Sequence, residues 1–300
     1  VLAHLDEQSY KALIEARIFE PKSLQTALSN RARRSLAGKD GRLLILAADH
    51  TARGKLTVNS DPLAMADRFT MLDRIVRALA NPEVDGVLAS ADILEELSWL
   101  GVLEGRLAIG TMNRGGVIGA KWELDDRMTA YDAEHVAKYG LDGGKMLLRI
   151  DDNDSRVART IESVAAAITQ LADRGIMSLL EPLPYVQNKA GVAVLDESDE
   201  RLIKVVGIAS GLGSSSAYTW LKIPTTNRMA EVAGATSMPI LMLGGDPGKD
   251  TAQTFERWEN AMNETNVRGL LAGRTLLYPN VGSVEEAIRQ AAELVHGVNR

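Results

Sequence analysis

The chain contains no cysteine, which excludes disulfide bridges and thiolate metal centres at once. That absence fits the cytoplasmic location we expect. No apolar run approaches the ~18 residues that a membrane-spanning helix needs, so no membrane partner is expected. The opening residues, VLAHLDEQSYKALIEAR, carry acids and lack the apolar centre of a secretory signal, so they do not read as one. Positive charge is also in short supply. The net charge is −6 and no basic stripe interrupts it, which argues against a nucleic-acid partner. Histidine is scarce: His4, His50, His135 and His296 are the whole stock. A zinc site held mainly by imidazoles is poorly supplied, and no metal is expected.

What is present is an ordinary folded composition, 45% apolar and 25% charged over 300 residues. That length suits one α/β barrel, and a single domain over residues 1–300 is expected. Eight short apolar runs read as strands buried on both faces: 43–49, 84–90, 106–112, 144–150, 176–182, 218–224, 238–244 and 267–273. Amphipathic helices separate them. Met65, Phe69, Leu72, Val76 and Leu79 recur at helical spacing, as do Val157, Ile161, Val164, Ile168 and Leu171. Ser283 followed by Glu286 has the spacing of a capping box opening the last helix. The alternation predicts a (β/α)8 TIM barrel behind an N-terminal helical extension over about residues 1–40, with an open doubly wound sheet as the alternative.

In a parallel barrel the chemistry sits at the carboxyl ends of the strands. Four charged residues interrupt those ends or interiors: Asp49, Lys145, Glu181 and Lys222. An unpaired charge in a barrel interior costs several kcal/mol, so these groups are expected to pair with one another. Lys145, Glu181 and Lys222 fall on consecutive predicted strands and can converge. A structural ion-pair cluster, or outward-pointing side chains, would satisfy the same pattern without chemistry. The chemistry that suits the set is amine catalysis. Burial and a neighbouring cation both lower a lysine's pKa and free its lone pair, and Lys145 beside Lys222 would supply that cation. Glu181 would then move protons.

The segments LAADH, KMLLRID, LLEPLPY, WLKIP and GLLAGRTLL, in that order, resemble the class I aldolases of the tagatose-bisphosphate aldolase group. They are more loosely similar to the archaeal-type fructose-bisphosphate and sulfosugar-phosphate aldolases. The resemblance covers about residues 43–280. It implies Lys222 as the Schiff-base lysine, Glu181 as the proton-transfer acid and base, Lys145 as a second active-site lysine and Asp49 as a substrate-positioning acid. It implies a phosphate-binding strand end at Gly273 and Arg274. The chain departs from the family after its first strand, where His50, Thr51, Ala52 and Arg53 replace the usual Gln or His followed by Gly. The tyrosine that handles protons in the archaeal branch has no exact counterpart either; Leu183 stands nearby and Tyr185 is held as a reserve.

Phosphate sites of barrels often follow the last two strands. Here those strands end in Leu243-Gly244-Gly245-Asp246-Pro247-Gly248 and Ala272-Gly273-Arg274-Thr275. Glycines admit phosphate oxygens to the backbone N–H groups and Arg274 adds a fork, although ordinary turns favour glycine too. The Gly/Ser run 211–216 precedes a strand and reads as a turn on the opposite end of the barrel. The loop 113–126, with Trp122, reads as a lid or a plain surface loop.

The expected activity is therefore a class I aldolase acting on a phosphorylated sugar with no cofactor. A magnesium-assisted sugar-phosphate isomerase or epimerase using Asp49 and Glu181, and a non-catalytic sugar-phosphate-binding regulator, are the other readings. Tagatose and fructose bisphosphates, a deoxy-keto-gluconate phosphate, a sulfosugar phosphate and deoxyribose phosphate are all compatible substrates. A homo-oligomer is compatible with the apolar barrel helices.

Overall fold

Every residue of the first strand, Leu43–Ala47 (β1), is buried, on both of its faces. That is what a strand between a packed lumen and a helical layer requires. The computed structural model describes residues 2–38, 40–245 and 251–297. The other strands are β2 (Gly86–Ala89), β3 (Leu107–Thr111), β4 (Gly143–Ile150), β5 (Met177–Gln187), β6 (Ala193–Leu195), β7 (Thr219–Ile223), β8 (Ile240–Leu243) and β9 (Val267–Ala272). Their order is β4-β3-β2-β1-β9-β8-β7-β5-β6, and β4 also pairs with β5. All pairings are parallel except β5 with β6. Eight parallel strands thus close into a (β/α)8 TIM barrel, and β6 is an antiparallel appendage.

The helices are α1 (Glu7–Phe19), α2 (Pro21–Asn30), α3 (Arg68–Leu79), α4 (Ala91–Trp99), α5 (Ala133–Lys138), α6 (Arg156–Ala172), α7 (Asp199–Ser210), α8 (Met229–Gly234), α9 (Thr251–Ala261), α10 (Arg274–Leu277) and α11 (Val284–Val295). Among the described residues, none is long and apolar enough to cross a membrane.

Strand parity divides the core in two. Leu44 and Leu46 join the large cluster between sheet and helices. Leu43, Ile45 and Ala47 join a second cluster with Leu88, Leu107, Ile109, Met177, Leu179, Leu241 and Leu271, which fills the lumen. Leu36 packs against this lumen cluster from the segment that follows α2.

That segment is anchored by charge. Arg31 and Arg33 both bond Asp142, whose carboxylate also accepts the Ala108 N–H at 2.9 Å. Arg34 bonds Asp85, which accepts from Leu44 N at 2.6 Å and contacts His296 Nε2 at 3.0 Å.

The eight barrel strands lie where the apolar runs predict them, with three differences of extent. β1 ends at Ala47, so Asp49 stands just beyond it. β5 runs on to Gln187 and folds back as β6, because the Asn188 side chain accepts from Ala190 N and Val192 N and Gly191 takes φ 74°. The helical extension ends at Asn30 rather than continuing towards residue 40, since the arginines after it serve as ion-pair anchors. Met65 is buried but precedes α3, which is capped by Asp67. Ser283 caps α11 by accepting from Glu286 N at 3.3 Å. The Glu286 carboxylate instead bonds Arg289 and Gln290, so the capping box is not seen to be reciprocal. Gly211–Ser216 joins α7 to the amino end of β7, away from the carboxyl face, as expected.

Burial opposes charge on His296, but its contacts with Asp85 and Asp40 outweigh it and raise the imidazole to about 9. A pKa raised on folding stabilises fully below the unfolded value near 6.5, and that contribution is lost as pH rises through about 9. His296→Gln is expected to cost on the order of 1–2 kcal/mol at pH 6, a figure discounted for partial exposure, and almost nothing at pH 10. Paired denaturant titrations of the two proteins at those pH values measure it.

Candidate active site

The same period of two that fills the lumen with apolar side chains brings the charged ones to its upper layer. Glu181 lies two residues beyond Leu179, Lys222 two beyond Trp220, and Asp49 two beyond Ala47. Lys145 lies in register with Leu179, one strand away. The structure brings together the four residues that the sequence singles out. Lys145 Nζ is 2.5 Å from Glu181 Oε2, and Lys222 Nζ is 3.0 Å from Glu181 Oε1. Lys145 also reaches Asp49 Oδ2 at 3.5 Å. All four are buried.

A fifth member was not singled out. Arg114, buried at the end of β3, bonds Asp49 and donates from Nε to Thr111 Oγ1 at 3.0 Å. Three cations therefore face two carboxylates. With both lysines protonated the cluster carries a net charge of +1; releasing one proton makes it neutral. Burial and Arg114 hold Lys145 well below the ordinary lysine range, with Lys222 adding to the effect and Glu181 opposing it. Burial also lowers Lys222, helped by Arg114 and Arg53 and opposed by Glu181. Two arginines thus join Lys145, the cation that the sequence points to, around Lys222. Burial alone would raise Glu181, but Lys145, Lys222 and Arg114 outweigh it and keep the carboxyl ionised, well below its usual range. Both carboxylates that a magnesium reading would use are already bonded to cations.

These groups line a pocket of about 210 Å³ at the carboxyl face, together with His50, Arg53, Tyr185, Gly244, Gly245, Gly273 and Arg274. A larger groove of about 650 Å³ between α9 and α11 has no buried amine in its wall and lies apart from this chemistry. Gly273 is required by close approach: a Cβ there would stand 2.3 Å from Ala47 O. Gly245 takes φ 70°, a conformation that favours glycine. Arg274 donates to Thr57 O at 3.5 Å. Asp246, Pro247 and Gly248 lie outside the described residues. Burial, with Arg274, Lys222 and Arg53 nearby, holds His50 well below the ordinary imidazole range, so it is neutral. Tyr185 lies under the Arg149 guanidinium, whose carbon is 5.3 Å from the ring centroid.

The loop 113–126 is tied down to β4, and its Arg114 lines the pocket. Asn113 donates to Leu147 O at 2.7 Å and accepts from Leu147 N at 2.7 Å. Arg149, fully buried on β4, donates to both oxygens of Asp126 at 2.8 Å and to the Glu123 carbonyl. Only its rim, including Trp122, is exposed. Sequence signals for this were thin: an arginine in a strand and an aspartate 23 residues before it.

Residues 41–292 match the Cgl0159-like family. The chain belongs to that family. It is similar to the crystal structure of Cgl0159 from Corynebacterium glutamicum, with 43% identity over 97% of this chain and 98% of that one, at a TM-score of 0.94. It shares its fold with an archaeal fructose-1,6-bisphosphate aldolase solved with its catalytic Lys covalently bound to the carbinolamine intermediate of the substrate. That likeness is 19% identity over 91% of this chain and all of the other, at a TM-score of 0.66. A fructose-bisphosphate aldolase from Slackia heliotrinireducens shares the fold at 14% identity, covering 100% of this chain and 90% of that one, at a TM-score of 0.65. No curated protein matches. The family shown is thus the Cgl0159-like one, not the aldolase group that the motifs resemble, and the likeness to aldolases concerns the fold alone.

Removing Arg149 leaves Asp126 buried without its partner. Arg149→Met is expected to lose on the order of 3 kcal/mol of stability and to speed amide exchange across residues 114–128. Denaturant titration and hydrogen-exchange mass spectrometry read the two effects.

Proposed function

We propose that the protein is a lyase, a class I aldolase that breaks or forms a carbon–carbon bond in a phosphorylated sugar through a Schiff base on Lys222. The observation that carries this reading is one buried carboxylate, Glu181, bonded to two amines beside the further cation Arg114. Structural ion pairs need no surplus cation, whereas a nucleophilic amine does. Lys222 is assigned the attack because Glu181 is its only ion-pair partner in the described set, while Lys145 is held by both Glu181 and Asp49.

Neutral Lys222 attacks the substrate ketone, and its proton passes to the carbonyl oxygen to give a carbinolamine. Glu181, holding the proton that the Lys222 ammonium gave up before the attack, protonates the departing hydroxyl; water leaves and an iminium remains. Ionised again, Glu181 accepts the β-hydroxyl proton. The carbon–carbon bond then breaks, its electrons neutralise the iminium, and an aldehyde departs from the enamine. Protonation of the enamine carbon and hydrolysis return the amine. The iminium is the electron sink, so the sequence needs no cofactor. Gly244, Gly245, Gly273 and Arg274 hold the phosphate, and this remote binding aligns the ketone with Lys222. Asp49, fixed by Arg114 and Lys145, receives a substrate hydroxyl.

Incubation with dihydroxyacetone phosphate and borohydride is expected to leave a reduced adduct on Lys222, located by peptide mass spectrometry. Lys222→Ala should lose this adduct and at least ~10³-fold in turnover, while calorimetry still finds phosphate-ester binding. An adduct elsewhere, or activity in the variant, would overturn the assignment. Arg114→Gln removes a cation that depresses both amines, so their pKa values rise. The acid-side limb of the pH dependence of adduct formation should move to higher pH.

A further inference from the structure

Arg53 touches no substrate group in the reaction as written, although it helps to lower Lys222, and its side chain lines the same pocket. It ends a short 3-10 turn, Thr51–Arg53, just after β1. Its Nη1 is buried and has no hydrogen-bond partner. The charged groups that act on it are Arg149 and Lys222, which repel it, and Asp126 and Glu181, which attract it. Neither carboxylate is open to it. Both oxygens of Asp126 accept from Arg149, and both oxygens of Glu181 are taken by Lys145 and Lys222. A guanidinium N–H left buried beside a second arginine is costly unless an anion arrives.

The type of anion follows from the donors in reach. Three backbone N–H groups at Arg53 are already committed: Arg53 N and Lys55 N donate to His50 O, and Gly54 N to Thr51 O. Ile118 N donates to the Arg53 carbonyl. Among the described residues, the glycine beside Arg53, Gly54, thus has its N–H taken and forms no open cradle of the kind at Gly244, Gly245 and Gly273 to surround a tetrahedral dianion. A planar guanidinium fork matches a planar carboxylate. We propose that Arg53 receives a substrate carboxylate, so that the substrate is a phosphorylated keto acid with phosphate at Arg274 and carboxylate at Arg53. This deepens the aldolase reading and rests on it for the ketone.

Three open-chain six-carbon ligands without a ketone or aldehyde separate the possibilities: glucitol 6-phosphate, 6-phosphogluconate and glucitol 1,6-bisphosphate. They differ only in the group at the end remote from the shared phosphate, and their binding is read by calorimetry. In the unaltered protein, 6-phosphogluconate should bind about tenfold tighter than glucitol 6-phosphate, and tighter than the bisphosphate. Arg53→Met should erase that advantage while leaving glucitol 6-phosphate affinity unchanged, and Arg53→Lys should restore only part of it. Equal binding of all three ligands, an advantage that survives Arg53→Met, or tightest binding of the bisphosphate would each overturn the proposal. So would absence of binding, or an equal loss for glucitol 6-phosphate in Arg53→Met, which would mark a structural arginine. None of the ligands can form an imine, so this outcome is independent of borohydride trapping on Lys222, and either reading can fail alone.

Discussion

The carboxylate of Glu181 is the constraint on which the upper half of the barrel depends. Two buried lysines would not be tolerated in that layer without it, and its two oxygens fix where both amines lie. Arg114 then unbalances the set. With three cations on two carboxylates, the cheapest response in a low-dielectric lumen is to release a proton from an amine. A structural requirement, that buried charge be answered, thereby becomes a chemical property.

The amino end of the barrel handles buried charge in the opposite way. Asp142 and Asp85 are met by Arg31, Arg33, Arg34 and His296 and by backbone N–H groups of β1 and β3. These pairs close on themselves and fasten the N-terminal segment under the lumen. At the carboxyl end, satisfaction is incomplete: an arginine nitrogen is unanswered and an imidazole is held neutral. At the amino end each of these charges meets an opposite one, whereas at the carboxyl end pairing stops short.

Much of this was legible in the chain. Eight apolar runs marked the barrel strands because parallel strands buried on both faces show little polar alternation. Asp49, Lys145, Glu181 and Lys222 stood out because ionised residues are rare in such runs. The short strand β6 was not found. Its residues are half-exposed and its partner is the tail of β5, so no apolar run announced it, although Asn188 and Gly191 carried the turn signal. Arg114 and Arg149 were passed over for a different reason. Arg114 follows β3 in a loop, where arginines are common, and Arg149 stands near the end of β4; their burial is what marks them.

The sequence by itself determined the alternation of strand and helix, the number of barrel strands and the residue types available for amine chemistry, because these depend on local periodicity and composition. Tertiary structure decided which charges meet. Lys145 and Asp49 are 96 residues apart, and Arg149 and Asp126 are 23 apart. Their encounters follow from barrel closure and strand stagger, which no local window contains. Proton affinity depends on those encounters and on exclusion of water. The lowered proton affinities of Lys145 and Lys222, and the unanswered charge of Arg53, are therefore properties of the closed barrel.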